Sequence, residues 1–160
     1  MKNKILDPKT INEDTIKSIL ENGAIEFHDN GGIYITEYPF NFWLELDERR
    51  KLIIMYSYWD VVPEAAEMDM LIFTNHSNTQ KIMLQFSYRP EMGRFYGHYT
   101  HPYSVGLIPT HVLKMAQKFA AIFQEVVDDG MEKGLLIELP DSPGDDDEVG
   151  ADTTVDSTVH

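Results

Sequence analysis

The chain has 160 residues and a formal charge of −14, with 27 acidic against 13 basic side chains and no cysteine. That length fits one domain able to bury a core without covalent staples, and the missing thiols exclude disulfides, thiolate catalysis, iron–sulfur clusters and cysteine-ligated zinc. The acidic excess repels phosphate backbones and anionic headgroups, so neither nucleic acid nor membrane is an expected partner.

The first nine residues hold only Ile5 and Leu6 as an apolar pair, too little for an export signal, and no run of about 18 apolar residues occurs anywhere. A cytoplasmic protein is the expectation. Thr10 with Glu13 three residues on reads as a capping box, followed by Ile11, Ile16, Ile19 and Leu20 at helical spacing and by Gly23 as a left-handed stop. Strands are predicted over 24–29 and 33–38, joined through Asn30-Gly31-Gly32, because Asn-Gly tolerates the positive φ of a tight hairpin. Two more follow over 41–47 and 52–60, the last apolar on both faces. Connections this short make the four an antiparallel meander.

Pro63 opens a predicted second helix that ends at 75–78. A second hairpin is predicted from strands over 80–88 and 94–101, turning at 90–93. Pro109 then opens a long helix, with Leu113, Ala116, Ala120, Phe123 and Val127 in a three–four stripe and Gly130 as its stop. The fold class is α+β, an antiparallel sheet with helices packed on it in the order α-β-β-β-β-α-β-β-α.

From Glu138 onward there are eight acidic residues and no basic one, whereas residues 1–137 hold 19 acids and 13 bases, a net of −6. High charge with few apolar groups cannot offset ordering entropy, so the chain divides into a domain over 1–138 and an acidic tail over 139–160, expected to be disordered.

No constellation of catalytic type stands out. His98 and His101 are close, but an offset of three sends strand residues to opposite faces, and no third ligand accompanies them. No G-x-S-x-G elbow occurs, and Gly31-Gly32 lacks the helix start that would hold a phosphate. No catalytic residue, cofactor or metal is therefore expected, and the chain is read as a non-enzyme. The informative feature is the second face of the sheet. With Ile25, Phe27, Ile33, Ile35, Phe42, Leu44, Leu46, Ile54, Tyr56, Ile82, Leu84, Phe86, Phe95 and Tyr99 turned to the helices, alternation sends Tyr34, Trp43, Met55, Trp59, Met83, Tyr96 and His98 to the other side. Aromatic and Met side chains there supply large contact area at low entropic cost, which makes these seven the protein-binding candidates.

The first helix ending at Gly23, the segments Ile25-Glu26-Phe27 and Gly32-Ile33-Tyr34-Ile35, and the helix end at Asn75 carry a resemblance. So do the turn Met92-Gly93-Arg94-Phe95 and the Gly106-Leu107-Ile108-Pro109 approach to the last helix. Together, over about 10–130, they resemble the YbjN-like family of proposed bacterial sensory transduction regulators. The resemblance implies a type III secretion chaperone-like fold and frequent homodimerisation, with no catalytic residue to transfer. The expected function is a chaperone-like or regulatory homodimer that holds a client segment on its aromatic and Met surface. The alternative is a small-molecule sensor or enzyme with a pocket between sheet and last helix, lined by Tyr56, Tyr99, His98 or His101.

Overall fold

Helix α1 (Glu13–Asn22) starts where two side chains can satisfy its free amides. Asn12 Oδ1 accepts from the Thr15 amide at 2.9 Å, and Thr15 Oγ1 accepts from the Asn12 amide at 3.4 Å. The cap is thus Asn12 rather than Thr10, whose hydroxyl donates to the Asp7 carbonyl in the preceding turn. Nor is Gly23 the left-handed residue: its φ is −87°, and Ala24 takes φ +55°. Gly23 serves close approach instead, since a Cβ there would lie 2.5 Å from Leu113 Cδ2. The structure, a computed structural model, describes residues 4–138, so the stretch over 139–160 lies outside the described residues.

Strands β1 (Phe27–Asp29), β2 (Ile33–Ile35), β3 (Phe42–Asp47) and β4 (Leu52–Asp60) form the antiparallel meander. Helix α2 (Glu67–Gln80) starts four residues after Pro63, which lies in the connection before it. Strands β5 (Gln85–Arg89) and β6 (Arg94–Pro102) make the second hairpin, and helix α3 (Pro109–Glu132) closes the order. Gly130 does not stop α3, which runs two residues past it. All six strands join one sheet in the order β1-β2-β3-β4-β6-β5. The architecture is the α+β arrangement expected.

The helices cover one sheet face. Ile33, Leu44 and Met55 sit in register across β2, β3 and β4, all at most 1% exposed, and α3 lays Val112, Ala116, Phe119 and Phe123 over the sheet. Gly97 of β6 makes that seat possible, because a Cβ there would stand 2.7 Å from the Phe123 ring and 3.2 Å from Phe86. Packed interiors leave no room for the extra carbon.

Three of the seven surface candidates belong elsewhere. Met55 is 0% exposed in the core beneath the helices. Trp59 is half-buried on the same side, edge-on to Phe40 at 4.9 Å, with its Nε1 donating to the Ile137 carbonyl at 2.7 Å. Met83 lies in the α2–β5 connection and packs on the core. Correspondingly, Ile54 and Tyr56 face outward, and Ile82, expected inward, is 98% exposed because α2 runs to Gln80 and β5 begins only at Gln85.

The phase of β4 explains the exchange. With apolar residues on both faces it has no alternation of its own, so its phase is set by register with β3. Asp47 pairs with Leu52 around a four-residue turn, which places Met55 opposite inward Leu44 and Tyr56 opposite outward Trp43.

Candidate functional site

The sheet face away from the helices carries an unusual row. Through the register, His28, Tyr34, Trp43, Tyr56, His98 and Gln85 stand side by side, one from each strand. Neighbouring strands are about 4.8 Å apart, so the row runs about 24 Å across the sheet. Tyr34, Trp43, Tyr56 and His98 at its centre lie outside the core cluster, and each is half-buried.

Local contacts hold these rings in place. Tyr34 and Trp43 meet with centroids 4.5 Å apart, and Trp43 also lies 3.7 Å from where a Gly32 Cβ would be, so the hairpin turn folds against the indole. Tyr56 donates its hydroxyl to Glu45 Oε1 at 2.9 Å. Burial first, and the Glu45 carboxylate second, push the Tyr56 phenol up to about 12. His98 Nε2 stands 3.0 Å from Gln85 Oε1. Its imidazole is held below the ordinary value, by burial and then by Arg89, which favours the neutral ring.

A second row follows toward the far end of β4. Tyr58 pairs with Tyr96, ring centroids 5.5 Å apart, and the Arg94 guanidinium lies over Tyr58 at 4.1 Å. Arg89 lies over Tyr96 at 5.3 Å, and the Tyr96 hydroxyl donates to Met92 Sδ at 3.7 Å. Tyr58 is 39% exposed. Rigid rings fixed from below by one another and edged with donors and charges suit recognition of another polypeptide: they offer area without much rotamer entropy to lose.

Of the seven candidates, Tyr34, Trp43, Tyr96 and His98 therefore come together on this face, while Met55, Trp59 and Met83 do not. Sequence reasoning missed Tyr56 and Tyr58. The signal that finds them is the turn length between β3 and β4, which fixes which β4 residues stand opposite Trp43.

The pocket reading is divided by the sheet. Tyr56 and His98 are on the open face. Tyr99 and His101 lie on the helix side, at a shallow cavity of about 230 Å³ shared with Met83, His111, Lys114 and Met115. The four polar groups do not converge on one ligand. Among the described residues no group of three or more His, Cys, Asp or Glu could hold a metal ion, and no helix is long and apolar enough to cross a membrane.

Neither a family model nor a curated protein matches the sequence. In three dimensions the chain is similar to the crystal structure of YbjN, a candidate transcription regulator from E. coli, with a TM-score of 0.69 at 11% identity over 80% of this chain and 97% of that one. It also matches the structure of the HopA1-SchA chaperone-effector complex, with a TM-score of 0.47 at 14% identity, covering 74% of this chain and 88% of that chain. The fold is that of YbjN, as the sequence resemblance implied.

Proposed function

We propose that this protein is a non-enzymatic binding module that holds an extended segment of a client protein across the open face of its sheet. The observation that carries the reading is the row from His28 to Gln85, on the sheet face that the helices leave open among the described residues, with Trp43 and Tyr56 at its centre. A row about 24 Å long matches about seven residues of extended chain.

The free edge of β5 is a poorer site for strand addition. Both backbone groups of Phe86 are already bonded by Asn78: its Nδ2 donates to the Phe86 carbonyl at 3.0 Å, and its Oδ1 accepts from the Phe86 amide at 2.8 Å. An edge guarded in this way resists pairing with another strand, which favours the face over the edge.

The same reading makes the protein a homodimer. Helix α2 buries Met70 and Phe73 but leaves Met68, Leu71 and Ile72 65%, 46% and 60% exposed on its other side, apolar surface that a second copy would cover without touching the sheet face.

Panning a displayed peptide library on the immobilised full chain tests the client site. Selected peptides should bind the Trp43→Ala and Tyr56→Ala proteins at least about tenfold more weakly, the loss typical of a central aromatic anchor, and should bind Ile82→Ala unchanged. Equal binding to all four proteins would overturn the assignment.

A further inference from the structure

Positive charge is gathered at one place on the helix side of the sheet. His111, Lys114 and Lys118 fall at i, i+3 and i+7 of α3, one stripe of the helix, and no acid occurs on α3 before Glu125. No carboxylate therefore stands three or four residues from either lysine, and among the described residues neither lysine forms an ion pair with any other element. Like charges at this spacing repel, and here nothing on the helix offsets them.

The stripe borders the cavity of about 230 Å³ between α3 and β6. Met83, Tyr99 and Met115 give that cavity its apolar surface, and His101 joins it from β6, so two lysines, two histidines and no carboxylate line it. The Tyr99 hydroxyl stands 3.4 Å from His101 Nδ1; with Nδ1 accepting, the imidazole proton sits on Nε2, which is then a donor. Burial, and after it the charge of His111, hold the His101 imidazole below its ordinary value, so the two rings feel each other. Residues 1–137 carry a net of −6, but charges more than about 8–10 Å away are largely screened, and a ligand here meets the local cations. The space is about eight times the ~30 Å³ of one water and less than the ~300 Å³ at which drug-sized sites begin, which suits a small ligand.

We propose that this cavity binds a small amphipathic carboxylate, its apolar body against Met83, Tyr99 and Met115 and its anionic head among His101, His111, Lys114 and Lys118. Either half of such a ligand alone leaves the other half of the cavity unmatched: an inorganic anion does not cover the methionines, and a neutral alkane chain does not answer the lysines. The site lies on the opposite side of the sheet from the aromatic row, so it stands whether or not that row holds a client.

Titrations of the ¹⁵N-labelled full chain at low salt test this, with octanoate, octan-1-ol and acetate as probes. Octanoate should shift the amides of Tyr99, His101, His111 and Lys114, and should saturate at a concentration at least about fivefold below that of octan-1-ol, the effect of two exposed ion pairs. Acetate, which lacks the apolar body, should need at least about tenfold more than octanoate. Lys114→Gln with Lys118→Gln should erase the preference for octanoate and leave octan-1-ol binding unchanged, which separates lost charge from lost folding; both side chains are exposed. An N-acetylated dipeptide ending in leucine tells the two sources of the carboxylate apart: tighter binding than octanoate assigns it to a chain end, weaker binding to a free acid, and both keep the site. Equal saturation by octanoate and octan-1-ol, octanoate binding unaffected by the double substitution, or shifts at Trp43 and Tyr56 with His101 and Lys114 unmoved would each overturn the proposal.

Discussion

Asn78 on α2 substitutes for a missing strand at Phe86 on β5, accepting from its amide at 2.8 Å and donating to its carbonyl at 3.0 Å. One side chain thereby satisfies both backbone groups that a neighbouring strand would otherwise take. Phe86 is only 5% exposed, so losing the cap strands polar groups beside the core. Asn78→Ala should cost about 1–3 kcal/mol in chemical denaturation, and Asn78→Asp, which keeps the acceptor and loses the donor, should cost less. Equal stability of Asn78→Ala and the parent would show that the cap contributes nothing.

Gly97 and Phe123 form the corresponding contact between α3 and the sheet. Phe123 is fully buried against Phe119, with ring centroids 5.8 Å apart, and cannot move aside for a new Cβ at 2.7 Å. Gly97→Ala should destabilise by about 1–3 kcal/mol, and Phe123→Leu in that background should cost less than Phe123→Leu alone. Additive losses in the double variant would deny the contact.

The Tyr56 phenol gives a pH signature of the open face. Its folded value of about 12 exceeds that of an unfolded tyrosine, about 10. The unfolded chain therefore releases this proton first. The contribution to stability is complete below about pH 10 and is lost as pH rises toward 12. In an ultraviolet titration Tyr56→Phe should remove one late-ionising phenol, leaving those of Tyr38 and Tyr103, which burial also raises. Glu45→Gln should bring the Tyr56 step partway down, because burial is the larger cause. A titration unchanged by Tyr56→Phe would contradict this.

How much of this was legible in the sequence depended on the element. α1 and α3 announced themselves through helical spacing, and β1 to β3 through alternation that the helices then covered. β4 did not, because Ile53, Ile54, Met55 and Tyr56 are apolar without a phase. Its inward side is chosen by pairing with Leu44 and Leu46, a tertiary constraint. The α2–β5 connection was hidden for a different reason: Lys81 to Leu84 look like strand, yet Asn78 must reach Phe86, and helix α2 continues to Gln80 to bring it there. Half of the aromatic row was thus readable from β2, β3 and β6, and Tyr56 at its centre was not.

The self-association reading has its own check. Light scattering on the full chain at tens of micromolar should return twice the 18.4 kDa mass. Leu71→Glu with Ile72→Glu should return a folded monomer whose melting temperature no longer depends on protein concentration, since both side chains are exposed in the single chain and buried charge at a dimer core is costly. A parent that is already monomeric would remove the homodimer from the account.

Amide mapping tests most directly whether the sheet face away from the helices is the client surface. A peptide selected on the full chain, titrated into ¹⁵N-labelled protein, should shift Tyr34, Trp43, Tyr56, Tyr96 and His98 while leaving α2 and α3 in place. Shifts confined to Met68, Leu71 and Ile72, or to the cavity beside His111 and Met115, with the row unmoved, would contradict it.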